Sequence, residues 1–210
     1  MGRGEDERPF LPRAFSVMRA REGELDFLLE DVGPGTNRLA ELGPGDGLLL
    51  LGPLGKGFEP PRQGRRPILV GGGVGIAPLA IWGDVLGAAA LMLLGFRDAA
   101  HADGAALIPQ ARIATDDGSR GYRGLVTALL EAELGCDPRA EVYACGPPPM
   151  LDAVAEICRT HGVPGQLAME SGMACGYGAC FGCVVPTKRG FVRLCVDGPV
   201  IDAHEIERVA

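Results

Sequence analysis

The sequence contains few of the residues that a zinc, nucleic-acid or membrane protein needs. Its three histidines, His101, His161 and His204, are scattered without the spacing of metal ligands. Only one C-x2-C pair occurs, whereas zinc sites usually combine two such pairs or add histidine. The balance of 20 basic and 27 acidic residues gives a formal charge of −7, which disfavours binding to nucleic acid or anionic lipid.

Long apolar segments are also missing. The longest apolar run, Leu86 to Phe96, is far shorter than the roughly 20 residues that a membrane-spanning helix requires. Residues 1–9 are charged and lack an apolar core, so no signal peptide is expected. Seven cysteines in a chain without a leader predict a reducing, cytoplasmic environment.

Four cysteines near the C-terminus are the most informative feature that is present. Cys175, Cys180 and Cys183 follow the pattern C-x4-C-x2-C, and Cys195 follows at a distance. This is the opening spacing of a plant-type [2Fe–2S] loop, in which soft thiolates bind iron. Glycines between them would let backbone N–H groups approach a cluster: Gly172, Gly176, Gly178 and Gly182. The spacing predicts a [2Fe–2S] cluster, with a zinc site or two disulfides as the alternatives.

The pattern of residues divides the chain into three parts, 1–62, 66–165 and 166–210. The first part alternates short β-like runs, including Gly47–Leu51, with glycine and proline turns and one short helix at Thr36–Leu42. The second part alternates apolar strands with helices, which predicts a parallel sheet covered on both faces. The third part carries the four cysteines.

Two loops in the second part have the composition of a nucleotide site. The glycines of the first loop are Gly71, Gly72, Gly73 and Gly75. This loop follows a strand and precedes a helix, which favours a bound phosphate; a tight turn that serves helix–sheet packing is the alternative. The second loop, Cys145-Gly146-Pro147, follows another strand, where Cys145 is either a functional thiol or a small buried side chain.

Taken together these motifs resemble the ferredoxin–NADP reductase superfamily. The resemblance rests on an Arg-x-x-Ser strand, a Gly-Thr helix start, the run Gly52–Phe58, the loop Gly71–Pro78 and Cys145-Gly146-Pro147. The segments Met173–Cys183 and Arg193–Val200 are similar to the electron-transfer subunits of type B dihydroorotate dehydrogenases.

The resemblance implies an α/β fold with an N-terminal flavin-binding β-barrel, a ferredoxin-reductase-like nucleotide domain and a [2Fe–2S] tail. The barrel is expected to be truncated, because only twelve residues precede Arg13. By analogy the FAD contacts are Arg13, Ala14, Phe15, Ser16, Leu28, Leu29, Glu30, Gly35 and Thr36. The NAD contacts are Gly71, Gly72, Gly73, Gly75, Cys145, Gly146 and Pro147, and the cluster ligands are Cys175, Cys180, Cys183 and Cys195. No catalytic side chain is expected, since the cofactors carry the chemistry.

The resemblance also implies a partner. Electrons from dihydroorotate, oxidised at FMN in a separate catalytic subunit, would pass through the cluster and FAD to NAD+ in pyrimidine (UMP) biosynthesis, within a heterotetramer of two copies of each subunit. Met173, Tyr177 and Phe181 give the cysteine loop the composition of an interface core, unless they only shield the cluster. The alternatives are a related reductase subunit of a transhydrogenase or hydrogenase complex, or a non-catalytic iron–sulfur protein.

Overall fold

The computed structural model describes residues 11–206. Its strands are β1 (Val17–Arg21), β2 (Glu24–Phe27), β3 (Arg66–Gly72), β4 (Leu91–Phe96), β5 (Arg112–Thr115), β6 (Tyr122–Arg123), β7 (Ala140–Cys145), β8 (Gly165–Ala168), β9 (Val184–Thr187), β10 (Gly190–Arg193) and β11 (Val200–Asp202). Its α-helices are α1 (Pro34–Ala40), α2 (Ile76–Leu86), α3 (Val126–Cys136), α4 (Pro148–His161) and α5 (Leu194–Asp197). In this range no helix is both long and apolar enough to cross a membrane.

A seven-stranded sheet in the order β11-β8-β7-β3-β4-β5-β6 forms the centre of the fold. All neighbouring strands are parallel except β11, which pairs antiparallel with β8. The central strand β3 is buried from Pro67 onward, as expected for a strand covered on both faces. The predicted parallel α/β sheet is therefore confirmed.

The strand order reverses between β3 and β7. From β3 the chain moves outward through β4, β5 and β6, and then crosses back to β7 on the other side of β3. The carboxyl ends of β3 and β7 are consequently neighbours, with Gly71 paired to Cys145. Ligands of open α/β sheets bind at such a point, because the two flanking loops separate there.

The core has two halves, one on each face of the sheet. On one face, Ile68 and Val70 pack with α3 and α4, and the same cluster of buried residues includes Cys183 and Cys195. On the other face, Leu69 packs with α2 and with Met18 of β1. The cysteine segment therefore shares its core with the seven-stranded sheet.

The first part of the chain contributes the β1–β2 hairpin, which rests on α2. Arg19 of β1 pairs with Asp84 of α2 at 3.0 Å and donates to the Leu107 carbonyl at 3.1 Å. The predicted helix exists as α1, two residues earlier than expected. The predicted strand Gly47–Leu51 is wrong: the segment has no ladder partner among the described residues, and its leucines are exposed.

A polar network fastens the linker after this part to the sheet. Glu141 is 2% exposed and accepts hydrogen bonds from the Arg62 backbone N–H at 2.7 Å and from Gln166 Nε2 at 3.0 Å. The Gln166 side chain also bonds both backbone groups of Glu59, and the Tyr143 hydroxyl donates to the Glu59 carbonyl. The linker is thus docked on the starts of β7 and β8.

A second carboxylate joins α3 to the sheet. Glu133 accepts from Arg66 of β3 at 3.1 Å and from Arg112 of β5. Burial would raise the pKa of Glu133, but the two arginine bonds outweigh it and hold that pKa below its usual value. The charged form is therefore the one that the fold stabilises.

The C-terminal part contains more regular structure than the sequence predicts. Strands β9 and β10 form an antiparallel hairpin, and the short helix α5 carries Cys195. Strand β11 then returns to the main sheet, where Val200 pairs with Ala168 of β8. The cysteine segment therefore leaves the sheet at β8 and rejoins it at β11. The three-part division of the chain stays a prediction.

Candidate functional site

The two glycine loops at the reversal of strand order interlock. A Cβ at Gly75 would lie 2.5 Å from the Cys145 carbonyl oxygen, and a Cβ at Gly72 would lie 2.9 Å from Pro147 Cδ. A Cβ at Gly146 would lie 3.0 Å from the Gly72 nitrogen. These contacts explain why the loops need glycine: their backbones pass each other too closely for any side chain.

Gly73 differs from the other glycines of the first loop. It has φ +54° and no neighbouring atom within 4 Å of its Cβ position, so its backbone faces open space. It begins a single 3-10 turn, Gly73–Gly75, that leads directly into α2. Close packing thus accounts for Gly72 and Gly75, whereas the opening beside Gly73 and the start of α2 is where a phosphate could approach.

Cys145 lies at this crevice as a neutral thiol. Burial is the main cause that raises its pKa, to about 12, and the nearby charge of Glu170 adds to the effect. A thiol with this pKa is a poor nucleophile and a poor metal ligand. Cys145 therefore contributes a small, uncharged surface to the crevice.

In the N-terminal part, Arg13 lies against the start of α1. A Cβ at Gly35 would lie 2.8 Å from both Cζ and Nη2 of the guanidinium, so a side chain at position 35 would displace the guanidinium from this place. Arg13 Nη1 also donates to the Leu11 carbonyl at 2.8 Å. A cation beside the positive end of a helix is unfavourable without an anion. The pair is therefore suited to hold a phosphate group, and its assignment to FAD stays a prediction.

The other predicted flavin residues lie before β1, after β2 and in the first turn of α1. Thr36 uses its hydroxyl to cap α1: it accepts the N–H groups of Val32 and Gly33 and donates to the Gly33 carbonyl. Leu28, Leu29 and Glu30 follow β2 instead of lying within it. Before β1, the predicted residues Ala14, Phe15 and Ser16 are exposed. Among these three, Phe15 packs edge-to-face on Phe27 at 6.3 Å.

The four cysteines form two pairs. The sulfurs of Cys183 and Cys195 are 3.2 Å apart and buried, and the Cys195 N–H points to Cys183 Sγ at 3.4 Å. Cys175 and Cys180 are hydrogen-bonded to each other. A sulfur separation of 3.2 Å excludes a disulfide, whose bond length is about 2.05 Å.

In the Cys175–Cys180 pair, several backbone N–H groups surround the Cys175 sulfur. The N–H groups of Cys180, Tyr177 and Ala179 point to Cys175 Sγ and lower the pKa of this thiol to about 6. Burial and the contact with Cys183 raise the pKa of Cys195 instead. The donors around Cys175 form because Gly176 and Gly178 adopt φ +82° and +87°, which only glycine tolerates freely.

The pairing favours a binuclear centre over a single ion. No three His, Cys, Asp or Glu side chains in residues 11–206 are gathered around one point as a single metal ion would need. A zinc ion requires four ligands around one centre, whereas a [2Fe–2S] cluster bound by four cysteines has two irons to share among them. Cys175 with Cys180, and Cys183 with Cys195 of α5, thus match a cluster in which each iron is bound by two cysteines.

Comparison with known proteins agrees with this geometry. The profile of the iron–sulfur cluster binding domain of dihydroorotate dehydrogenase B matches residues 170–207. The dihydroorotate dehydrogenase B (NAD(+)) electron transfer subunit of Caldanaerobacter subterraneus subsp. tengcongensis is 40% identical over 95% of this chain and 82% of its own length. The corresponding subunit of Bacillus caldolyticus is 40% identical over 94% of this chain and 80% of its own. This chain belongs to the family of dihydroorotate dehydrogenase B electron transfer subunits.

Solved structures place the family among the ferredoxin reductases. The NADH-dependent reduced ferredoxin-NADP oxidoreductase of flavin-based electron bifurcation superposes with a TM-score of 0.76, at 28% identity, over 92% of this chain and 73% of its own. The ferredoxin reductase of carbazole 1,9a-dioxygenase gives a TM-score of 0.58 at 25% identity, over 74% and 54% of the two chains. The ferredoxin-reductase-like fold with an iron–sulfur binding domain is thus established.

The contact between the run Gly52–Phe58 and the cysteine segment was not predicted from the sequence. The run Gly52–Phe58 was noted only as a shared motif, yet its Lys56 N–H donates to the carbonyl of Gly198, three residues after Cys195. Its second glycine, Gly55, was the available signal, because glycine in an otherwise apolar turn often marks a close backbone approach.

Proposed function

We propose that this chain carries electrons from dihydroorotate oxidation in a partner subunit, through a [2Fe–2S] cluster and FAD, to NAD+. Dihydroorotate dehydrogenase catalyses a step of pyrimidine biosynthesis, and this chain acts as the NAD-reducing subunit of that enzyme. The observation that carries the proposal is the gathering of four thiols beside a reductase-like parallel sheet, with Cys183 and Cys195 packed into its core and the Cys175–Cys180 pair nearer the surface. When bound, the cluster transfers single electrons and the flavin couples them to hydride transfer.

The chain's own residues would position these groups. Cys175, Cys180, Cys183 and Cys195 would bind the cluster, with backbone N–H groups donating to the Cys175 sulfur. Such bonds stabilise the thiolate and tune the potential of the bound iron.

The flavin pyrophosphate would lie between Arg13 and the start of α1. Two positive elements converge there, the guanidinium and the helix N-terminus, and a diphosphate neutralises both. The interlocked loops at β3 and β7 would form the nicotinamide nucleotide site, where Gly73 leaves the backbone accessible and Cys145 adds no charge.

The catalytic partner would dock on the cysteine loop. Tyr177 and Phe181 are 60% and 62% exposed, and Phe191 on β10 is 80% exposed. Arg193 lies over the Phe181 ring at 5.2 Å, and Phe191 projects from the same face of β10 as Arg193, because residues two apart in a strand share a face. Exposed aromatic residues around an electron-carrying loop are typical of an interface core. The FMN subunit is the expected occupant, in a complex with two copies of each chain.

The first experiment measures cofactors in anaerobically purified protein. We expect two irons, two sulfides and one FAD per chain, with the absorption spectrum of a flavin and a [2Fe–2S] cluster. Stoichiometric zinc without labile sulfide would contradict the proposal.

The second experiment tests the partner. Alone, the chain should reduce dyes with NADH but leave dihydroorotate unchanged; mixed with the FMN subunit, it should give NAD+-dependent orotate formation. Tyr177→Asp and Phe181→Asp should weaken assembly, whereas Leu107→Asp, at a leucine that is 52% exposed and far from the cysteine loop in sequence, should not. Failure to associate with the FMN subunit would favour a reductase that serves another acceptor.

A further inference from the structure

The segment Gly52–Phe58, called here the bridging loop, connects the N-terminal part to the cysteine segment. The Lys56 N–H donates to the Gly198 carbonyl, and Lys56 pairs with Pro199 in an isolated parallel bridge. Leu54 reaches the other side of the cysteine segment, with its Cδ1 3.5 Å from the Cβ position of Gly176. One loop therefore touches the residue after Cys175 and the turn after Cys195.

The contact requires glycine at position 55 for two independent reasons. Gly55 has φ +75°, a conformation that side chains disfavour. In addition, a Cβ there would collide with the Gly198 carbonyl oxygen and lie 3.2 Å from Pro199 Cδ. Any larger residue must push the bridging loop away from the cysteine segment.

The far end of the bridging loop is anchored to the sheet. Phe58 packs edge-to-face on the buried Tyr143 at 5.6 Å and lies 6.1 Å from the Trp82 ring. The next residue, Glu59, is bonded to Gln166. The bridging loop is thus clamped between the sheet on one side and both halves of the cysteine segment on the other.

We propose that the bridging loop fixes the position of the cluster-binding segment relative to the flavin-binding part, and that Gly55 is its main positioning residue. The inference rests on the proposed function, since it concerns the passage of electrons between cluster and flavin. Electron transfer falls steeply as two redox centres separate, so a displacement that leaves both cofactors bound still slows the exchange. The hydrogen bond from Lys56 to Gly198 also provides a direct contact between the two parts.

The test compares Gly55→Ala with Gly64→Ala in the full chain loaded with FAD and the cluster. Gly64 has the same φ, +75°, but no atom within 4 Å of its Cβ position, so it controls for backbone strain alone. For Gly55→Ala we expect exchange of the Lys56 amide hydrogen to accelerate roughly tenfold, because its hydrogen bond is weakened. Bleaching of the cluster by NADH should slow about tenfold or more. Cofactor content and NADH-dependent dye reduction should stay within about twofold of wild type.

The outcomes distinguish the positioning role of Gly55 from the proposed electron-transfer function. Wild-type rates of cluster bleaching in Gly55→Ala, or an equal loss in Gly64→Ala, would overturn the positioning role. If Gly55→Ala fails to fold, Leu54→Ala removes the contact with Gly176 without backbone strain; it should slow bleaching severalfold, and a wild-type rate would again refute the inference. If the loaded wild-type chain does not reduce its own cluster with NADH, the proposed function itself fails.

Discussion

Gly35→Ala offers a sharp test of the flavin site, because the three atoms nearest to the Cβ position of Gly35 all belong to Arg13. Gly35 lies in the first turn of α1, where alanine favours the helix by up to about 1 kcal/mol. The added methyl would nevertheless occupy the place of the Arg13 guanidinium, whose Cζ is 2.8 Å from the Cβ position. We therefore expect a chain that is equally or more stable and yet binds FAD more weakly.

The magnitude follows from the bonds that Arg13 would make to a phosphate. Hydrogen bonds to charged groups contribute about 1.5–3 kcal/mol, which corresponds to about a tenfold to a hundredfold change in affinity. Arg13→Ala should lose this amount, and Gly35→Ala should lose a similar amount by displacing the same side chain. Because both changes remove one interaction, the double variant should bind FAD about as well as either single variant, instead of showing the product of the two losses.

The assay is a fluorescence titration of flavin-free protein with FAD, combined with thermal unfolding. Gly33→Ala is the matched control, since Gly33 precedes the same helix, has φ 169° and has no atom within 4 Å of its Cβ position. Its FAD affinity should match that of wild type. Additive losses in the double variant, or unchanged affinity in Arg13→Ala, would refute the phosphate role of Arg13.

Three further predictions concern the cluster, the linker and pH. Cys195→Ser should lose the cluster and its absorption, whereas Cys158→Ser should keep both, because Cys158 is a buried thiol with its pKa raised by burial to about 12. Glu141→Leu removes the acceptor of the Arg62 N–H and one of the two acceptors of Gln166 Nε2, and should lower the free energy of unfolding by about 1–3 kcal/mol in denaturant titrations; an unchanged free energy of unfolding would contradict the role of the network. The pKa of Glu133 is lowered in the fold, so its contribution to stability is present above the pKa of the unfolded chain and is lost as pH falls through the folded value. Unfolding free energies measured between about pH 6 and 3 should therefore fall less steeply for Glu133→Gln than for wild type, and equal slopes would show that the Arg112 pairing is unimportant.

The sequence predicts the parallel sheet well because its signals are local. Strand β3 is a continuous apolar run followed by glycine, and α4 begins with proline and ends at Gly162 in the left-handed conformation, φ 61°. Each of these features determines its own backbone geometry. The spacing of the cysteines likewise predicts a metal site, because it is a local pattern.

The features that sequence reasoning missed depend on distant partners. Leu48 to Leu51 have the apolar composition of a strand, but a strand also needs a hydrogen-bonding neighbour, and these residues have none in the described part of the chain. The pairing of the cysteines and the approach of Gly55 to Gly198 are equally invisible, since neither follows from spacing along the chain.

The return of β11 to β8 has a consequence for how the cluster is built and repaired. Because Val200 pairs with Ala168, the residues between them form a closed excursion whose two ends are held together without the metal. The pairing of β11 with β8 already closes this loop, so most of the loop-closure entropy is lost on folding and not on metal binding. The four thiols therefore stay near one another when iron is absent. A chain that has lost its cluster to oxygen should therefore take up iron and sulfide again without unfolding, and iron–sulfur assembly can follow folding instead of having to accompany it.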